Sequence, residues 1–288
     1  MDARDVSALT QRIQELEKEN ARLKEILEKN GIEYESFESK TCNFNHIEAT
    51  SVSICQFTLQ EKVTIFQSVF RGRDDVFAKR WYSSTTQKSG YQPVCKREWN
   101  REFCDKRKYK CADCPNRQFA PLTYNDVFNH LAGKDVWGRD VIGLYPIRKD
   151  NTCCFLCTDF DDKSCEHGYK NDVLSFVNVC KTWNVPCYIE RSRSGNGAHA
   201  WIFFDTPITA FKARKLGNAI LTEAMNSDVH LSFKSYDRFF PNQDTLPEGG
   251  LGNLVALPLQ GMARRKGNSV FVDEDFNAYA DQWELLSQ

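Results

Sequence analysis

The sequence predicts an α+β fold, and three observations carry this prediction. Compact apolar runs recur along the second half of the chain, and amphipathic segments of helical period lie between them. No apolar run reaches the roughly 20 residues that a membrane span needs. Strands mixed with helices in this way favour an α/β or α+β domain with some antiparallel pairing.

Helices are predicted where apolar residues recur every three or four positions. These segments are residues 59–80, 124–131, 173–183 and 210–225. Strands are predicted where apolar residues form compact runs. These segments are residues 141–145, 153–158, 186–190, 199–204, 254–259 and 270–272.

Residues 6–29 are predicted to form a helix with a heptad seam. The seam has Leu9, Leu16 and Leu23 at one core position and Ile13, Asn20 and Leu27 at the other. An asparagine at such a position fixes the register of two-stranded coiled coils. A homodimer through residues 6–29 and packing of this helix on the chain's own body are both open.

The predicted organisation has a coiled-coil helix at 1–31 and a polar linker at 32–58. The first part of the core follows at 59–150 and contains a cysteine-rich module at 90–118. The second part of the core is residues 151–288.

The composition is that of an ordinary globular protein, with 41% hydrophobic and 27% charged residues. The charged N-terminus does not look like a signal peptide, so we expect a cytoplasmic protein without a membrane anchor. In that compartment the 12 cysteines are expected to be thiols or metal ligands rather than a disulfide framework.

The net charge of −1 indicates no partner by itself, but its distribution is uneven. Residues 71–117 contain 13 Lys or Arg against 6 Asp or Glu, interleaved with aromatic residues. Such a pattern suits pairing with phosphates and stacking on bases. A solvated basic surface is the alternative. On the first interpretation the nucleic-acid contacts include Arg71, Arg73, Arg97 and Lys108.

Asp159 and Asp161 follow the apolar run 153–157 directly. Side chains at i and i+2 of a strand share one face, so the two carboxylates are expected to project together. Neighbouring carboxylates repel each other unless a cation or a proton lies between them, and oxygen ligands suit Mg²⁺ or Mn²⁺. A polar turn that caps the next helix is the alternative.

A glycine-rich segment leads into the predicted strand 199–204. Gly195 and Gly197 let backbone amides approach an anion, and Ser194 adds a hydroxyl donor. Arg193 supplies positive charge, and His199 begins the strand. The segment is typical of a triphosphate-binding loop, with a hairpin turn and a structural histidine as the alternative.

A third acidic residue, Asp237, is placed to complete a three-carboxylate metal site. Downstream, Arg264 and Lys266 belong to a basic cluster that could neutralise phosphate. Without the other motifs, Asp237 would be interpreted as a loop residue, and the basic cluster would be interpreted as a turn.

Cysteines in the pattern C-x8-C-x6-C-x2-C predict one structural Zn²⁺ site, because two closely spaced thiolates and two further cysteines complete a tetrahedron. The ligands are Cys95, Cys104, Cys111 and Cys114. A cluster of free cysteines, or a site in which His130 replaces one thiolate, is the alternative.

Taken in order, these motifs resemble those of the archaeo-eukaryotic primase superfamily. The series is an apolar strand that ends in D-x-D, then S-x-x-x-x-H on a strand, then an aspartate after an aromatic residue. The closer resemblance is to the primase domain of TOTE conflict systems, which are prokaryotic and related to mobile elements. It covers residues 58–285 and includes the segments 70–76, 89–95, 236–244 and 252–260.

The resemblance implies an archaeo-eukaryotic primase core with an RRM-like sheet and flanking helices, which polymerises NTPs or dNTPs on a single-stranded DNA template. Asp159, Asp161 and Asp237 match the family's metal-binding carboxylates, which hold two ions. His199 and Ser194 match its nucleotide-binding motif. Gln260, Arg264 and Lys266 match its triphosphate contacts. The zinc module matches one associated with binding of the template or the initiating nucleotide.

Such primases are often fused to helicase and nuclease domains, and the sequence predicts neither here. We therefore expect a separate helicase or nuclease partner, or a chain that is a fragment. Two other functions stay open: a metal-dependent nuclease, and a non-catalytic zinc-finger subunit that binds nucleic acid. A nuclease would have no need for a triphosphate-binding loop.

Overall fold

The computed structural model describes residues 57–162, 168–227 and 234–288, with seven further residues between 15 and 29. Those seven are helical and exposed. The six seam positions of the predicted coiled coil lie outside the described residues, so the coil and the dimer stay predictions. The chain divides into two units, Met1–Val52 and Ser53–Gln288, and the second contains all the elements described below.

The second unit contains six α-helices, a short 3₁₀-helix (Cys111–Asp113) and nine strands among the described residues. The helices are α1 (Leu59–Val69), α2 (Tyr124–Ala132), α3 (Tyr169–Thr182), α4 (Ala210–Ser227), α5 (Gly261–Arg264) and α6 (Gln282–Ser287). The strands are β1 (Ala78–Tyr82), β2 (Ser89–Pro93), β3 (Ile142–Leu144), β4 (Thr152–Asp161), β5 (Tyr188–Arg191), β6 (Gly197–Thr209), β7 (Tyr236–Phe240), β8 (Val255–Ala256) and β9 (Val270–Val272). None of the described helices is long and apolar enough to cross a membrane.

The strands form two antiparallel sheets, which confirms the α+β prediction. The first sheet has the order β2-β1-β3-β8, and the second has the order β7-β4-β6-β5-β9. The first sheet takes β8 from beyond residue 150, so the two predicted parts of the core share a sheet. The predicted boundaries themselves stay predictions.

The two faces of β4 pack against different parts of the protein. Leu156 and Phe160 point toward helices α3 and α4, and the Phe160 ring meets that of Phe176 on α3 at 5.9 Å. On the opposite face, Phe155 packs against Trp201 of β6 at 5.2 Å between ring centroids. The same face continues through Cys157 to the two aspartates, because side chains alternate along a strand.

Sequence and structure agree on most helices to within a few residues, but the predicted helix 59–80 is wrong beyond its first half. Helix α1 begins with a capping box formed by Thr58 and Glu61 and ends at Val69. The backbone N–H of Arg73 then bonds to the Tyr145 carbonyl at 2.8 Å. Residues 78–82 form strand β1, because pairing with β2 and β3 outweighs local helical preference.

Candidate metal and nucleotide site

Three carboxylates converge at the end of the second sheet. Asp159 and Asp161 lie on one face of β4, as their spacing predicts, and Asp237 joins them from β7. One carboxylate oxygen from each of the three lies within 4.8 Å of the others. Among the residues that the structure describes, no other group of three or more Asp, Glu, His or Cys side chains brings its possible ligand atoms so close together.

A β-bulge brings Asp237 into this acidic group. Arg238 pairs with Asp159, but Tyr236 pairs with Phe160, so the register skips Asp237. In a regular ladder Asp237 would lie opposite Phe160 and would share its face, which is covered by helices. The extra residue re-aims the side chain, as bulges do near functional sites. Asp237 thereby reaches the face that carries Asp159.

Arg238 partly compensates the acidic group. Its Nε donates to the Asp237 Oδ2 at 2.6 Å, and half of its side chain is exposed. The hydrogen bond and the charge of Asp237 raise the pKa of Arg238. This cation reduces the repulsion among three negative charges that share one site.

His199 lies beside the acidic group on β6. Its Nε2 is 3.4 Å from the Asp159 Oδ1, and its Nδ1 is 2.8 Å from the Glu190 Oε2. Burial opposes the charged ring, but the charge of Glu190 and hydrogen bonds with both carboxylates raise the pKa of His199 to about 10. The ring is therefore fixed between two carboxylates on neighbouring strands.

The glycine-rich segment forms the loop between β5 and β6. Ser194 Oγ accepts the backbone N–H of Asn196 at 3.2 Å, and Gly195 has a φ of +84°. A Cβ on Gly197 would lie 2.5 Å from the Phe160 carbonyl oxygen. Gly197 is therefore required by the close approach of β4 and β6, a packing reason that its sequence context did not reveal.

A cleft of about 580 Å³ opens in front of the acidic group. The first sheet contributes Tyr91 and Pro93 of β2, and the second contributes Asp159, Asp237 and Arg238. The cleft thus has acidic metal-ligand candidates on one side and an aromatic side chain on the other.

Arg193 reaches across from the β5–β6 loop to Tyr91. Burial raises the pKa of Tyr91, while the charge of Arg193 and a hydrogen bond from it act in the opposite direction. Arg80, which pairs with Tyr91 in the first sheet, is a second cation near this phenol. Positive charge therefore lies close to the cleft that holds the acidic group.

Comparison with known families decides the classification. A family model described as "TOTE conflict system, Archaeo-Eukaryotic Primase domain" matches residues 61–288. The chain belongs to this family. Primases join nucleotides, so membership of this primase family indicates a nucleotidyltransferase.

Two further comparisons add less. No curated protein matches the sequence. Among solved structures, the chain is similar to "Polymerase Domain from Mycobacterium tuberculosis Ligase D in complex with DNA", with 10% identity, coverage of 80% of each chain and a TM-score of 0.41. A similarity at that level carries no argument about activity.

In this primase-family chain, two of the residues that are predicted to contact the triphosphate form hydrogen bonds within the protein. Gln260 is buried, caps α5 by accepting the Ala263 N–H at 2.8 Å, and donates to the Asp140 Oδ1 at 2.9 Å. Arg264 donates to the Leu131 carbonyl near the end of α2 at 3.4 Å. Lys266 is exposed. The triphosphate contacts of these residues stay predictions.

The predicted nucleic-acid contacts differ in their surroundings. Arg73 is buried, and its guanidinium bonds to both Asp75 oxygens at 2.6 and 2.9 Å. Arg71 is exposed and donates to the Phe204 and Asp205 carbonyls at 3.2 Å each. The other two lie over aromatic rings. They are Arg97 over Phe103 at 4.5 Å and Lys108 over Tyr109 at 5.2 Å.

The four cysteines of the predicted zinc module are partly exposed thiols. Burial raises the pKa of Cys111, and its neighbours Cys104 and Cys95 add to the shift. Cys95 Sγ accepts the Gln118 N–H at 3.3 Å. The structure does not show a zinc site. Among the described residues, no three of these sulfur atoms lie within 4.8 Å of one another. His130 is buried elsewhere, with both ring nitrogens bonded to backbone groups.

The sequence indicated no individual role for Glu190 or Arg238, and it placed Tyr91 only within the basic and aromatic stretch 71–117 that suits stacking on bases. Tyr91 reaches the site from the first sheet, far along the chain from the acidic group, whereas Glu190 meets His199 across the hairpin of β5 and β6. The short loop between β5 and β6 is the local signal that could have found Glu190, because a hairpin pairs Glu190 with His199. Arg238 follows Asp237 directly, but its place depends on the bulge.

Proposed function

We propose that this protein is a DNA primase or primase-polymerase, a template-dependent nucleotidyltransferase that joins nucleotides on single-stranded DNA. The observation that carries the proposal is the convergence of Asp159, Asp161 and Asp237 at a cleft beside His199. Membership of the primase family supports the same reaction class.

The acidic group fits divalent cations in its chemistry. Three carboxylates offer the hard oxygen ligands that Mg²⁺ and Mn²⁺ prefer, and a bound cation would relieve the repulsion that Arg238 compensates only in part. Two bound ions would lower the pKa of an attacking 3′-hydroxyl and stabilise the pyrophosphate that leaves. On this proposal the three aspartates hold the ions at the cleft.

The other residues bind and orient the nucleotide. His199 has its Nδ1 engaged by Glu190, so Nε2 is the nitrogen that faces the acidic group and an incoming phosphate. Ser194 and Arg193 lie on the same loop and supply a hydroxyl and a positive charge. Fixed donors of this kind align a triphosphate without reorganisation during the reaction.

The remaining parts of the proposal concern the nucleic acid and its setting. Cys95, Cys104, Cys111 and Cys114 supply the thiolates that suit one Zn²⁺, and the module around them carries basic residues next to aromatic rings. We assign this module to template binding. The family's name supports a setting in a conflict system, where a helicase or nuclease would be the partner.

An incorporation assay tests the proposal. The full chain is incubated with primed or unprimed single-stranded DNA, with labelled NTPs or dNTPs, and with Mg²⁺ or Mn²⁺. Labelled product is expected from the wild type and none from Asp159→Asn. Asp244→Asn is the matched control, because Asp244 is bonded to Arg214 and is not in the acidic group. Incorporation by Asp159→Asn would overturn the proposal.

The same assay separates the alternatives. A metal-dependent nuclease would shorten the DNA without extending it. A non-catalytic subunit would bind DNA equally well with all three aspartates replaced, and its wild type would incorporate nothing.

A further inference from the structure

Four side chains form a row across four adjacent strands of the second sheet. Glu190 of β5 lies directly opposite His199 of β6, and His199 lies opposite Asp159 of β4. Asp159 in turn lies opposite Arg238 of β7. Directly opposite residues of antiparallel strands share a face, so these side chains are nearest neighbours. The proposed function uses Asp159 and His199 directly, and Glu190 enters it only through its hydrogen bond with His199.

Glu190 is almost fully buried, with 1% of its surface exposed. A buried carboxylate is costly unless donors compensate its charge. Its Oε2 accepts two hydrogen bonds, from the His199 Nδ1 at 2.8 Å and from the Trp201 Nε1 at 3.0 Å. Both donors lie on β6 two residues apart, so they share one face of the strand.

Trp201 makes this arrangement rigid. Its side chain is fully buried and packs between the rings of Phe70 at 5.3 Å and Phe155 at 5.2 Å. An indole N–H can donate but cannot accept. The Trp201 N–H therefore fixes the position of the Glu190 oxygen, and that oxygen in turn fixes one side of the His199 ring.

We infer that Glu190, held by Trp201, is a positioning residue that keeps the His199 Nε2 directed toward the acidic group and the nucleotide phosphates. An imidazole ring can otherwise rotate and exchange its two nitrogens. This inference rests on the proposed function for the part that concerns phosphate. The orientation of the ring is a separate property and can be measured without activity.

Two variants separate hydrogen bonding from charge. Glu190→Gln keeps an oxygen acceptor, and the Trp201 N–H holds that oxygen in place, so it is expected to retain most of kcat/KM for the nucleotide. Glu190→Leu removes the acceptor and is expected to lower kcat/KM by about 10- to 100-fold, the loss that is typical when a metal-ligating histidine loses its carboxylate partner. Equal losses in both variants would contradict positioning by hydrogen bonding.

A double-mutant cycle with His199→Ala distinguishes positioning from general support of the fold. If Glu190 acts through His199, Glu190→Leu costs no further activity once His199 is replaced. A further loss of the same size in that background would overturn the inference. Gln282→Leu is the matched control, because it removes buried hydrogen bonds to Phe271 of the same sheet without touching His199. It is expected to lower the melting temperature and keep kcat/KM.

Side-chain ¹⁵N NMR of the full chain, without metal or nucleotide, gives the second readout. The wild type and Glu190→Gln are expected to show a protected His199 Nδ1 proton, and Glu190→Leu is expected to lose it. An unchanged signal in Glu190→Leu would overturn the inference. If the wild type incorporates no nucleotide, the proposed function fails, whereas the NMR result still decides the orientation of the ring.

Discussion

Arg238 lies directly opposite Asp159 in the pairing of β7 with β4, yet its guanidinium bonds to Asp237, its neighbour in the chain. Both facts follow from the bulge at Asp237. The bulge inserts Asp237 between Tyr236 and Arg238, which pair with consecutive residues of β4. A carboxylate and a cation therefore reach the same site. The acidic group therefore depends on an irregularity of the sheet as much as on the aspartates themselves.

Divalent cations are expected to stabilise the protein through the acidic group. A cation that binds the folded chain alone adds about 2.7 kcal/mol to the free energy of unfolding at 100 times its Kd. Thermal unfolding with and without Mn²⁺ measures this effect. The melting temperature should rise in the wild type and stay constant in Asp161→Asn. An equal rise in both proteins would show that the ion binds elsewhere.

The bulge is expected to depend on Ser235 at the start of β7. Asp161 donates its N–H to the Ser235 carbonyl at 2.8 Å, and the Ser235 hydroxyl donates to the buried Asp172 Oδ2 at 2.5 Å. Ser235→Ala removes a donor from a buried carboxylate, which costs about 1–3 kcal/mol. Urea unfolding measures the loss, and it should be accompanied by a weaker Mn²⁺ effect.

The control for Ser235→Ala is Ser68→Ala. The Ser68 hydroxyl bonds to the Ile65 carbonyl at 2.8 Å on an exposed helical surface. Its removal should change the free energy of unfolding by no more than about 0.5 kcal/mol. Similar losses in the two variants would argue against a special role for the Ser235–Asp172 contact.

The stability of the protein is expected to fall below neutral pH because of His130. Its Nε2 donates to the Pro258 carbonyl at 2.8 Å and its Nδ1 accepts the Ile142 N–H at 3.2 Å, so the neutral ring satisfies both partners. Burial lowers the pKa of His130 from 6.5 to about 4. Between these values the unfolded chain binds more protons, so stability decreases as pH falls from about 6.5 to about 4.

The expected loss over that pH window is about 3 kcal/mol, at 1.36 kcal/mol for each unit of pKa difference. Urea unfolding at pH 4 and pH 7.5 measures it. In His130→Gln the free energy of unfolding should depend less on pH, since the carboxylates titrate in both proteins and cancel in the comparison. An unchanged pH dependence would show that His130 is not the responsible group.

The zinc module yields a prediction of metal content. The purified wild type is expected to hold one Zn²⁺ per chain, and Cys111→Ser to hold much less, because one of four thiolates is lost. Elemental analysis after dialysis measures both. Cys187→Ala, which removes a cysteine outside the module, should keep the zinc. Wild-type protein without zinc would contradict the assignment.

The parts of the site that sequence could predict depend on local geometry. Asp159 and Asp161 share a face because a strand has a period of two, and His199 lies on the strand that its apolar neighbours predict. The helix predicted over 59–80 failed for the opposite reason. Its last three residues, 78–80, begin strand β1 instead, which pairs with residues more than 60 positions away, at Ile142 and Gly143.

The parts of the site that the sequence could not predict depend on contacts between residues far apart in the chain. Asp237 enters the acidic group through a bulge in the pairing of β7 with β4, and Tyr91 reaches the cleft from the first sheet. Gln260 and Arg264 illustrate the reverse case. The family resemblance implies triphosphate contacts for both, which stay predictions, and the structure engages Gln260 in a helix cap and Arg264 with a carbonyl near the end of a helix. Composition alone does not distinguish the two uses.

The most direct test of the central claim is nucleotide incorporation by wild type and Asp237→Asn on single-stranded DNA with Mn²⁺. Asp237 is chosen because its place in the acidic group depends on the bulge between β4 and β7. The account predicts labelled product from the wild type and none from the variant, with equal melting temperatures in the absence of metal. Equal incorporation by the two proteins would contradict it.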